Sequence, residues 1–118
     1  SRFYLHARNH ADALLFLINR GAPAAYVDNN AIVMPDRYNV VGDTEKNNLE
    51  LAQEIAELIG KPLKYKLVDF HHTRPGHDRR YALDGSKLFA LGWNPPVSFK
   101  ESLAKTVEWT LENKQWML

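Results

Sequence analysis

Cysteine is absent from the 118 residues, which excludes a disulfide framework and thiolate chemistry and fits a reducing compartment. Long apolar runs are missing too. The longest, Ala11 to Ile18, is broken by Asp12 and is far too short to span a bilayer, and no signal peptide is expected. Charge of one sign is lacking: the formal net charge is +1, so any anion site must come from a local cluster. The expectation is a soluble, cytoplasmic chain that engages neither nucleic acid nor membrane. Glycines are scattered. The six stand at 21, 42, 60, 76, 85 and 92, never closer than seven apart, whereas a dinucleotide turn of Rossmann type needs them close together between strand and helix.

What is present suits one globular domain. The apolar fraction is 45% and the charged fraction 25%, both ordinary, and the length permits a modest core. The chain opens at Ser1-Arg2-Phe3-Tyr4-Leu5, apolar and strand-like, without an initiator Met. Strand partners for such a segment would have to come from elsewhere, so the expectation is a piece of a longer protein.

Hydrophobic periodicity sets the elements. Residues 3–7 read as extended. Asn9 is expected to cap a helix with Asp12 at N3, with Leu14, Leu15, Leu17 and Ile18 as its buried stripe and Gly21 and Pro23 as its stop. Residues 22–37 read as loop and Tyr38 to Gly42 as a short strand. Asn47 caps a second helix with Glu50 at N3, and Leu51, Ile55 and Ile59 give it one apolar face that closes at Gly60 and Pro62. Leu63 to Leu67 alternates as a half-buried strand does. Residues 70–81 read as a polar loop. Asp84 caps a short helix ending at Gly92, Trp93-Asn94-Pro95-Pro96 forms a rigid turn, and a last helix runs from Ser98 to Asn113. The fold class expected is α/β (α+β), a small sheet with about four helices.

The chemistry concentrates in residues 71–80, His-His-Thr-Arg-Pro-Gly-His-Asp-Arg-Arg. Pro75 and Gly76 set a tight turn able to hold Arg74 and His77 on one concave side. Guanidinium groups bind phosphate oxygens bidentately, and a neighbouring Gly lets backbone N–H groups approach the anion, so the chemical reading is a diphosphate clamp. The blander reading is a solvated basic loop partly neutralised by Asp69 and Asp78, and charge alone favours it. No metal site is expected. Adjacent His71 and His72 diverge, His77 brings no carboxylate at helical spacing, and His6 lies outside the helix that carries His10.

A second absence excludes a self-contained dehydrogenase. Short-chain dehydrogenases use a Tyr with a Lys four positions later. Here Tyr4, Tyr26, Tyr38, Tyr65 and Tyr81 are followed at that offset by Arg8, Asn30, Gly42, Asp69 and Gly85.

The run Arg74-Pro75-Gly76-His77-Asp78-Arg79-Arg80-Tyr81-Ala82-Leu83-Asp84 nevertheless resembles the dTDP-glucose 4,6-dehydratases, extended short-chain dehydrogenase/reductases of the NAD-dependent epimerase/dehydratase family. Further matches follow in that family's order: Arg2-Phe3-Tyr4-Leu5 with His10 to Leu14, Tyr38 to Gly42, Glu45 to Asn48, Leu91 to Pro95, and Thr106 to Trp109. The long run together with these overturns the solvated-loop reading.

The resemblance implies that residues 1–118 are the single carboxy-terminal substrate-binding domain of such an enzyme. The NAD-binding Rossmann domain, with the catalytic Tyr and Lys, would lie amino-terminal to it. Arg2 matches an arginine on the nucleotide diphosphate and Asn48 an asparagine of the same site. Arg74 matches the arginine paired with the diphosphate and His77 the histidine beside it, with Thr73, Pro75 and Gly76 shaping the loop. The chain departs from the family pattern at Thr73, where an Asp is usual, at Arg8, which replaces an acidic residue, and in the length of residues 22–37. In such enzymes the sugar is oxidised at C4, loses water across C5–C6 and is reduced at C6 with the same hydride. This chain would bind a nucleotide-diphosphate sugar (dTDP-glucose), supply no catalytic residue and hold no cofactor, NAD belonging to the parent. The alternatives are a part of another nucleotide-sugar epimerase or decarboxylase, or a stand-alone non-catalytic sugar-nucleotide-binding module.

Overall fold

A computed structural model describes residues 1–21, 27–28, 31–32 and 36–117. In chain order the elements are β1 (Arg2–Phe3), α1 (Ala7–Asn19), β2 (Val27–Asp28), β3 (Ala31–Ile32), β4 (Glu45–Lys46), α2 (Asn48–Ile59), α3 (Phe70–Thr73), α4 (Ser86–Ala90), α5 (Phe99–Glu112) and a 3-10 turn at Lys114–Trp116. The α+β class holds, with the sheet in two separate antiparallel ribbons. β1 pairs with β4, Phe3 opposite Glu45, and β2 pairs with β3, Val27 opposite Ile32. The second ribbon replaces part of the loop expected over 22–37. No described helix is long and apolar enough to cross a membrane.

The best-patterned helix formed as its residues dictate. Asn47 accepts hydrogen bonds from Leu49 N and Glu50 N at 2.9 Å each, while the Glu50 carboxylate accepts from Asn47 N at 2.8 Å. That reciprocal cap satisfies three amides of the first turn. Gly60, at φ 70°, ends α2 in the left-handed conformation that a β-carbon disfavours. The expected face of Leu51, Ile55 and Ile59 turns inward, but none of α2 is fully buried. α5 starts as expected at Ser98, whose hydroxyl accepts from Glu101 N, and packs against α2.

α1 corrects the sequence reading twice. Its cap is His6, not Asn9: the His6 ring accepts from Arg8 N at 3.0 Å. Asn9 lies one turn inside, only 3% exposed, because its amide donates to Val97 O at 2.7 Å and ties α1 to the entry of α5. Nor is Asp12 an N3 residue for the cap; its carboxylate accepts from Trp93 Nε1 at 2.8 Å. The buried stripe is also rotated. Asn9, Ala13, Phe16 and Leu17 face inward, whereas Leu14, Leu15 and Ile18 are 50%, 58% and 71% exposed. Periodicity detects an apolar helix face, but the position of Leu88 and Trp93 decides which one is covered.

The core is small. Ala13, Leu88 and Trp93 form its centre, with Phe16, Leu17, Tyr38, Val40 and Phe89 packed around it. The expected strand at 38–42 is not a strand among the described residues. Val41 is buried, and Gly42 packs so closely on β1's exit that a β-carbon there would stand 2.2 Å from Tyr4 O. The expected strand at 63–67 likewise has no ladder partner among the described residues, and residues 64–69 are exposed. The radius of gyration is 18.9 Å. A compact domain of this length would have about 13–14 Å.

Candidate functional site

β1 organises the site because it is contacted along both edges. On one edge β4 pairs with it. On the other, Tyr81 forms a parallel bridge to Arg2, and Tyr81 N donates to Ser1 O at 2.9 Å. Three distant stretches (residues 1–3, 45–48 and 77–81) therefore meet. Between them opens a cleft of about 340 Å³ lined by Arg2, Asn48, His77 and Tyr81, with Ser1, Asp69, Asp78 and Arg79 completing the wall.

Of the residues singled out by sequence, the structure brings Arg2, Asn48 and His77 together in this cleft. Asn48 is the first residue of α2, reached directly from β4. Because the Asn47 cap occupies the amides of 47, 49 and 50, this helix end offers an incoming anion the Asn48 N–H and side chain rather than an open nest. Arg74, Pro75, Gly76 and Thr73 do not line the cleft. The turn expected of them is formed: His77 N donates to Arg74 O at 3.3 Å, and Gly76 adopts φ 77° at its third position. It carries His77 into the wall, while Arg74 stands exposed at the first corner and makes no ion pair with the described residues. Thr73 uses its hydroxyl locally, donating to Asp69 O at 2.9 Å within the single turn of α3.

Tyr81 is the residue that side-chain chemistry alone did not single out. Its ring centre lies 5.3 Å from the Arg2 guanidinium carbon and 5.9 Å from the His77 ring centre. It is a platform joining the two candidate ligand-binding groups. Its position two residues beyond Arg79 in the long run was the available signal. The cluster of basic residues, by contrast, does not converge. Arg79 lines the cleft, but Arg80 is paired with Glu45 through two hydrogen bonds of 2.7 and 2.9 Å. That guanidinium, with help from the Ser1 hydroxyl, holds the Glu45 carboxyl down to about 2. The cleft has mixed charge, with Arg2 and Arg79 in the same wall as Asp69 and Asp78. Among the described residues no three His, Cys, Asp or Glu side chains converge on a metal position.

The GDP-mannose 4,6 dehydratase family profile matches residues 1–106. Curated relatives include dTDP-glucose 4,6-dehydratases of Xanthomonas campestris pv. campestris, 34% identical over 125 residues, and of Neisseria meningitidis serogroup B, 37% identical over 125 residues. Each alignment covers 98% of this chain and 32% of the relative, so the chain spans about a third of the relatives' length. The fold is similar to a dTDP-glucose 4,6-dehydratase of Bacillus anthracis solved in complex with NAD, with a TM-score of 0.71, 30% identity, and coverage of 98% of this chain and 32% of that one. The residues present here do not fit that cofactor. Gly21, Gly60 and Gly92 follow helices, Gly76 lies in a turn, Gly42 is packed on Tyr4, and Gly85 precedes a helix of only five residues. None makes the strand-to-helix phosphate turn a dinucleotide needs.

Proposed function

The chain belongs to the GDP-mannose 4,6 dehydratase family, and on that premise we propose that it is the carboxy-terminal substrate-binding part of an NAD-dependent nucleotide-sugar 4,6-dehydratase. Its task is to hold the nucleotide diphosphate of a sugar nucleotide, dTDP-glucose by similarity to the dehydratases above, so that the hexose reaches chemistry carried out elsewhere in the parent. The observation that carries this reading is the convergence of Arg2, Asn48 and His77, from three separate stretches, on one cleft. Arg2 supplies a planar cation suited to two phosphate oxygens, His77 and the Asn48 amide supply directed hydrogen bonds, and Arg74 stands exposed in the turn that carries His77. Thr73, Pro75 and Gly76 shape that turn. The contribution is positional: binding energy gathered on the diphosphate orients the reacting sugar. NAD and the catalytic residues belong to the remainder of the parent, and the location in this reading is cytoplasmic.

Calorimetric titration of the full-length protein with dTDP tests the assignment. A charge-assisted hydrogen bond is worth about 1.5–3 kcal/mol, so Arg2→Ala and Arg74→Ala are each expected to weaken binding by roughly 10-fold to 150-fold. Affinities unchanged in both variants would overturn it.

A further inference from the structure

We infer that Glu45 and Arg80 form a positioning clamp that determines which side of the 77–81 segment faces the proposed nucleotide cleft, an inference that rests on the substrate-binding reading above. Arg79 and Tyr81 line the cleft, and Arg80 between them does not. Residues 77, 78, 79 and 81 line the cleft and the chain bends at Arg79, so whatever holds Arg80 out of the cleft fixes how its two neighbours are presented to it. What holds it is specific. Nε and Nη2 of Arg80 donate to the two oxygens of Glu45 at 2.7 and 2.9 Å, and the guanidinium carbon lies 5.9 Å from the Phe3 ring centre. Glu45 also accepts from the Ser1 hydroxyl and sits opposite Phe3 in the β1–β4 ribbon. One carboxylate therefore joins β4, β1 and the 77–81 segment behind the cleft.

The backbone ties the segment to residues 1–2: Arg2 and Tyr81 form an isolated bridge, Tyr81 N donates to Ser1 O at 2.9 Å, and the Ser1 amino group donates to Arg79 O at 2.6 Å. The Arg80 side chain adds a tie to β4. A slip of the segment would carry Arg79 and Tyr81 away from the cleft, removing the ring beneath Arg2. The two-point geometry of the Arg80–Glu45 pair resists that slip because only a planar fork fits both carboxylate oxygens. Arg80 is thus a positioning residue rather than a second phosphate ligand, although it follows Arg79 in the same basic run.

The test uses the full-length protein with dTDP as probe, reading its dissociation constant, kcat and KM with the sugar nucleotide, and Tm. Small displacements of positioning groups cost up to about 100-fold, so Glu45→Gln is expected to weaken dTDP binding by roughly tenfold, with KM rising more than kcat falls. Arg80→Lys, which keeps the charge but loses the fork, is expected to weaken it by about threefold. The exchanged pair Glu45→Arg with Arg80→Glu is expected to return affinity to within about twofold of the parent, a rescue that general loosening of the fold would not show. Arg2→Ala is the control. If it weakens dTDP binding while Glu45→Gln and Arg80→Lys leave it within twofold of the parent, the clamp is overturned and the cleft reading stands. A lowered Tm with unchanged affinity has the same meaning. If Arg2→Ala and Arg74→Ala also leave binding unchanged, the cleft reading itself fails.

Discussion

The Arg2 guanidinium carbon lies 5.3 Å from the centre of the Tyr81 ring, across the parallel bridge that joins these two residues in the backbone. The cation is held from below by the aromatic face while its edge remains available to the cleft. Cation–π contacts of this kind contribute about 0.5–1 kcal/mol at exposed sites. Tyr81→Phe keeps the ring and is expected to leave dTDP affinity within about twofold, whereas Tyr81→Leu should weaken it by about twofold to fivefold. Calorimetry on the two full-length variants separates the ring from its hydroxyl. Equal losses would assign the effect to the hydroxyl.

Trp93 is 3% exposed, lies parallel to the Phe89 ring at 6.2 Å, and donates its indole N–H to Asp12. Trp93→Ala is expected to cost about 3–5 kcal/mol through cavity formation. Trp93→Phe retains an aromatic neighbour for Phe89 but leaves Asp12 without its donor, adding about 1–3 kcal/mol to a smaller packing loss. Urea unfolding of both variants checks the order. A Phe variant as damaged as the Ala variant would show that the hydrogen bond outweighs the packing.

Glu45 has its carboxyl depressed from 4.5 to about 2, first by the hydrogen bond from Arg80 and then by that from the Ser1 hydroxyl. The unfolded chain therefore takes up this proton before the folded one does. Stability from this group is fully present above about 4.5 and is lost as pH falls through about 2. Asp36 and Asp84 are depressed as well, by Lys87 and by the Ser86 backbone amide respectively, and they act in the same direction. Tm measured from pH 6 down to pH 2 should fall across that acidic window, and Glu45→Gln should flatten the decline. An identical profile in the variant would show that the pair does not bear on acid stability.

Local signals were legible wherever neighbours in sequence settle the matter. The Asn47–Glu50 cap, the Gly60 stop, the Ser98 start and the Arg74–His77 turn are satisfied within a few residues, so no distant partner can move them. The site was legible through a resemblance spread over several separate stretches, which named Arg2, Asn48 and His77 without showing that they meet. What the residues did not reveal depends on partners far along the chain. Asn9 reads as a cap, yet its amide reaches Val97, 88 positions away, so His6 caps α1 instead. Leu14, Leu15 and Ile18 read as core, but Leu88 and Trp93 lie against the neighbouring face.

The division at residues 79 and 80 follows the same rule. Composition determined that a basic cluster with a tight turn stands at 71–80, and periodicity determined three principal helices with two of their starts. Only the tertiary structure decided that Arg79 faces the cleft and Arg80 faces Glu45, 35 positions earlier in the chain. Chemically the two arginines are identical. The chain bends at Arg79, and the side Arg80 takes is set by an acceptor that the neighbouring strand supplies.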